Sequence, residues 1–145
     1  MENFKLEIFN KEHKGEKFLF QKVKDQELSN LIQELTRIVG NAEIKASIEF
    51  FNTIKLNFNR TLQMNKTNNL KEIFKQIGLK GSSLGDVSYL IWKFPNDIDR
   101  FDLKFLINNW NYIWYGDSDD AVVIYIENKI LMLITHYGTV KFLEL

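Results

Sequence analysis

No cysteine occurs anywhere in the 145 residues. That excludes disulfides, thiolate-ligated zinc, iron–sulfur clusters and a thiol nucleophile, and it is silent about compartment. A signal-peptide core is missing as well, because Glu2, Lys5 and Glu7 interrupt the opening MENFKLEIFNKEHK. No apolar run reaches the roughly 18 residues of a membrane span. The longest candidate, Ala121 to Leu133, is broken by Glu127-Asn128-Lys129. The resulting expectation is a cytoplasmic protein without membrane association. Only two histidines are present, and no serine sits in a nucleophile-elbow context. Net charge is also lacking, with 19 basic against 19 acidic residues, but the halves differ. Residues 1–80 hold fourteen basic and ten acidic side chains, and residues 81–145 hold five and nine. Such a dipolar chain steers charged partners towards one face.

What is present is an ordinary folding composition, 45% hydrophobic and 14% aromatic, with 12 phenylalanines. One domain covering 1–145 is expected, large enough to bury a core without staples. The stretch AVVIYIENKILML, residues 121–133, places apolar residues on both sides of a short polar break, as a hairpin buried on both faces does. Phe4, Leu6 and Ile8 alternate with polar residues, so a first strand is expected there, paired with one beginning at Phe18-Leu19-Phe20. From Asp25 the period changes to that of a helix: Leu28, Leu31, Ile32, Leu35, Ile38 and Val39 form one stripe, ended by Gly40.

Residues 43–65 satisfy two patterns. Ile44, Ala46, Ile48 and Phe50 alternate, as do Ile54, Leu56, Phe58, Leu62 and Met64, which predicts a hairpin turning at Asn52-Thr53. Ile44, Ile48, Phe51, Phe58 and Leu62 also fit one helical face, but the Asn content and β-branched residues disfavour the helix, so the hairpin is expected. A short helix at 70–77, a strand at 87–94 ended by Pro95, and a helix whose first turn holds Asp97, Asp99 and Asp102 follow. A last strand spans 139–145. The expected fold is α+β: a largely antiparallel sheet, about three helices and a C-terminal three-stranded meander.

The most distinctive segment is NWNYIWYGDSDD, residues 109–120. Aromatics beside carboxylates suit a recognition surface, with the rings as anchors and the carboxylates receiving Lys or Arg. Trp110 and Ile113 are expected to face inward. Trp114, Tyr115, Asp117, Asp119 and Asp120 are then the candidate partner contacts, with Asp97, Asp99 and Asp102 as a second acidic stretch. The three turn aspartates offer oxygen ligands, but further ligands of a calcium loop are missing, so neither metal nor cofactor is expected. His136 opposite Asp117, Asp119 or Asp120 is the alternative, an acid–base pair in a small hydrolase. GLKGSSLG, residues 78–85, lacks the Gly-Lys-Ser/Thr ending of a phosphate loop. The basic half with Phe18, Phe20, Phe50 and Phe58 offers a third possibility, a single-stranded nucleic-acid platform.

WYGDSDDAVVIYIENKILMLITHYGTVKF, residues 114–142, resembles the C-terminal part of immunity proteins that neutralise bacterial polymorphic toxins of the contact-dependent inhibition type. The likeness lies in an acidic turn after an aromatic helix end, followed by an apolar meander, and it covers about a fifth of the chain. The resemblance implies a non-enzymatic inhibitor in the bacterial cytoplasm. It would bind one cognate toxin domain, often a nuclease with a basic cleft, and cover its active site.

Overall fold

A computed structural model describes residues 1–41, 43–64, 69–79, 86–117 and 119–145. The described residues form one antiparallel sheet of seven strands with helices on both faces, an α+β architecture. In chain order the elements are α1 (Asn3–Glu12), β1 (Gln21–Lys22), α2 (Asp25–Val39), α3 (Ser47–Asn57), β2 (Arg60–Gln63), α4 (Leu70–Gln76) and β3 (Val87–Lys93). They continue with β4 (Asp97–Asp102), α5 (Leu103–Asn108), α6 (Trp110–Ile113), β5 (Ala121–Ile126), β6 (Ile130–Thr135) and β7 (Thr139–Glu144). The sheet order is β1-β4-β3-β5-β6-β7-β2.

The β5–β6 hairpin is the middle of this sheet, as its composition requires. Side chains alternate between the two faces of a strand, and a strand covered on both faces is apolar throughout. Val122, Ile124, Met132 and Ile134 meet α4, α5 and α6 on one face. Val123, Tyr125, Leu131 and Leu133 meet α2 and α3 on the other. The C-terminal meander and α2 lie where the sequence places them, with Gly40 ending α2 in the left-handed region. In the β6–β7 turn Gly138 is obligatory. Its φ is +82°, and a Cβ there would stand 2.0 Å from the Met64 carbonyl oxygen.

Four expectations are corrected. The N-terminal hairpin is instead helix α1, whose inward positions are Lys5 and Phe9, four residues apart. Phe4 and Ile8 form the neighbouring, partly exposed stripe. A buried lysine breaks the apolar stripe, so alternation is the stronger local signal. The hairpin expected over 43–65 is helix α3 followed by edge strand β2. Phe50 and Ile54 are buried at helical spacing, whereas Ile48 and Leu56 stand 71% and 80% exposed, and these two blur the stripe. The helix expected to begin at the acidic residues after Pro95 begins later. Residues 97–102 are strand β4, and Asp102 caps α5 by accepting a hydrogen bond from Phe105 N at 2.9 Å. Helices number six among the described residues, not about three. The Gly/Ser-rich loop falls, over residues 80–85 including Ser82 and Ser83, outside the described residues, as does Ser118.

Candidate functional site

Helix α1 carries Lys5 in its first turn, with its ammonium over the Trp92 ring. Its ammonium is fully buried and is held by Asp119, with Nζ 2.9 Å from Oδ1 and 2.7 Å from Oδ2. Glu2 adds a carboxylate oxygen at 3.3 Å. The ammonium lies 4.5 Å from the Trp92 ring centroid and 5.3 Å from that of Tyr115. A desolvated cation over aromatic faces gains from the ring quadrupole as well as from its counter-ion. Asp119 also accepts Tyr115 N at 2.8 Å, which closes the turn after α6 onto α1. The turn is therefore an internal ion lock on one side and a solvent-facing rim on the other.

A second buried carboxylate lies close by. Asp99 has no exposed surface; its Oδ2 accepts from Trp92 Nε1 at 2.9 Å and from the Met1 ammonium at 2.6 Å. Lys22 Nζ stands 2.8 Å from Asp99 Oδ1, an ion pair without hydrogen-bond alignment, and also bonds Asp97. Burial alone would lower the Lys22 pKa, but Asp97 and Asp99 outweigh it and raise it. Burial alone would raise the Asp97 pKa, and the Lys22 ammonium holds it below the ordinary carboxylate value. Partial burial, with Glu12 and Asp119 nearby, pushes the Tyr115 phenol up.

Between these ion pairs and α3 opens a cleft of about 770 Å³. Trp92, Asp97, Asp119, Asp120, His136 and Tyr137 line it, with Ile48 and Phe51 contributed by α3. Tyr137 is 80% exposed. His136 Nδ1 lies 3.0 Å from the Asp120 carbonyl oxygen. A carbonyl only accepts, so Nδ1 is the donor of this contact. The Asp120 carboxylate is fully exposed, with Oδ1 3.8 Å from the same nitrogen.

The sequence candidates are thus divided. Asp97, Asp119, Asp120 and His136 share the cleft. Asp117 is exposed and Tyr115 half-buried on the turn beside it. Trp114, expected at the surface, is 1% exposed and stacks with Trp110 at 5.9 Å in the core, so it is not a surface contact. Asp99, expected on an exposed acidic side, is buried in the ion cluster. Asp102 is a helix cap beside a smaller hollow of about 380 Å³. Phe50 and Phe58 are core residues, which removes half of the aromatic platform expected for nucleic acid. Lys5, Trp92, Ile48 and Tyr137 escaped sequence reasoning. An apolar α3 residue misplaced for burial is the one local signal that could have flagged Ile48.

Among the described residues no group of three His, Asp or Glu side chains is placed to hold a metal ion. No described helix is long and apolar enough to cross a membrane. Comparisons with protein-family models, with curated proteins and with solved structures find no match to the chain.

Proposed function

We propose that this chain is a non-enzymatic binding protein, an immunity-type inhibitor that docks a cognate toxin domain on the cleft and its acidic rim. The observation that carries the reading is the exposure of Ile48 and Tyr137, 71% and 80%, on a concave surface that also gathers Asp97, Asp119 and Asp120. Large apolar side chains left open beside a concavity are typical of interaction sites. Carboxylates at the rim complement a basic partner and accelerate its approach. Asp117 and Asp120 are the rim charges, because Asp119 is committed to Lys5.

The experiment is to produce the protein encoded next to this chain's gene and measure its association with the chain and the inhibition of its activity. A stoichiometric complex that silences a toxic activity is the expected result. A neighbouring metabolic enzyme with no affinity for the chain would remove the reading. One observation favours hydrolysis as a second reading: His136 lies in a cleft beside a carboxylate. Turnover of ester or phosphoester substrates that disappears in His136→Ala would favour it. Its absence from the wild type removes it.

A further inference from the structure

We infer that the corner of the cleft formed by Asp120, His136 and Tyr137 receives an arginine side chain of the bound partner. This deepens the binding reading above and rests on it. Two ring systems and one carboxylate meet at this corner. The Tyr137 and His136 ring centroids are 3.6 Å apart, tilted by 42°, so the rings pack against each other, and Tyr137 remains 80% exposed. His136 is anchored to the Asp120 main chain. His136 N donates to the Asp120 carbonyl oxygen at 3.1 Å, and His136 Nδ1 meets the same oxygen at 3.0 Å. These contacts use the Asp120 main chain, so its carboxylate stays fully exposed. The residue after Tyr137, Gly138, accepts a hydrogen bond from Met64 N at 2.8 Å.

A planar guanidinium fits both halves of such a corner. It stacks on an aromatic face and forks onto a carboxylate, whereas an ammonium is a compact, strongly hydrated charge that does neither as well. The molecule already makes the analogous pairing internally on the same turn: Lys5 lies over Trp92 while Asp119 holds its charge. Asp120, one residue on, and Tyr137 offer that pairing to solvent. Lys55 and Lys93 also line the cleft, so an anionic side chain is the competing occupant.

The test uses the full chain and small probes watched at the His136 and Tyr137 side-chain resonances. The probes are Nα-acetyl amides of arginine, lysine, citrulline and glutamate. Arginine should give a saturable shift, lysine a weaker one, and citrulline, of the same shape without charge, none. Asp120→Asn and Tyr137→Ala should each weaken the arginine response by about two- to fivefold, matching the modest worth of exposed ion pairs and cation–ring contacts. Both residues are exposed, and an unchanged melting temperature verifies that the variants fold. Equal responses to citrulline and arginine, a stronger response to glutamate, or an arginine response indifferent to Asp120→Asn would overturn the assignment. Failure here together with an intact cognate complex would overturn the arginine pocket and leave the binding reading standing. An arginine response without any cognate complex would remove the binding reading instead.

Discussion

Lys5 Nζ lies 2.7 Å from Asp119 Oδ2 although 114 residues separate the two in sequence. Both are withdrawn from water, the lysine completely and the aspartate to 11% exposure. Removing one member of a buried pair leaves an uncompensated charge, at a cost of about 3–5 kcal/mol. Asp119→Asn should therefore destabilise strongly, at the low end of that range because Glu2 stands 3.3 Å from the same ammonium. Lys5→Met in the same chain should restore much of the loss. A double-mutant cycle in urea checks this, and a coupling energy near zero would mean the pair is not closed in solution.

That pair also explains what the sequence left hidden. The β5–β6 hairpin was legible because both faces are covered, so nearly every position had to be apolar. Helix α2 was legible from its uninterrupted stripe. Helix α1 was not, because its first inward position is a lysine whose burial depends on an aspartate far along the chain. Helix α3 was obscured by the opposite departure, since Ile48 and Leu56 are apolar where solvent is. Strand β4 resembled a helix start because Asp99 is acidic, and only the fold supplies its partners Lys22, Trp92 and the Met1 amine. Composition reports burial well where burial is apolar. It fails where a charge is buried with its counter-ion or an apolar group is left exposed.

Core and cleft positions should separate cleanly in stability measurements. Leu133, 1% exposed between β5 and α3, should lose about 2–5 kcal/mol on replacement by Ala, from lost transfer energy and the cavity left behind. Ile48→Ala should stay within about 0.5 kcal/mol of the wild type, as exposed substitutions do. Denaturant midpoints at unchanged slope verify both. A loss at Ile48 as large as that at Leu133 would place its side chain in the core.

The Asp97–Lys22 pair predicts an acid-side dependence. The Asp97 pKa is lowered from 3.8 in the fold, so the unfolded chain takes up its proton first as pH falls. Its contribution is complete above the unfolded value and is lost as pH drops through the folded one. The raised Lys22 pKa acts oppositely: its contribution is complete below the ordinary lysine value of 10.5 and fades only as pH rises through the higher folded value. Stability of the wild type relative to Asp97→Asn should therefore shrink at the acid end. Urea midpoints at stepped pH values measure it. A constant difference across the acid range would show that Asp97 is not ion-paired.

Rim charges and apolar contacts should act on different rate constants. Asp117→Asn with Asp120→Asn should slow association with the cognate domain and flatten its salt dependence, because exposed charges steer the encounter. Ile48→Ala and Tyr137→Ala should chiefly speed dissociation, by tenfold or more where the loss exceeds about 1.4 kcal/mol. Asp119 is left unchanged in these variants, since altering it opens the lock with Lys5 and confounds binding with folding.

The most direct measurement is inhibition of the neighbouring gene's product by the wild type and by the Ile48→Ala, Tyr137→Ala double variant at matched stability. The account predicts that the wild type forms a one-to-one complex and suppresses the partner's activity. The double variant, folded and equally stable, should need a much higher concentration to do so. Equal inhibition by both proteins, or no complex with the wild type at micromolar concentrations, would contradict it.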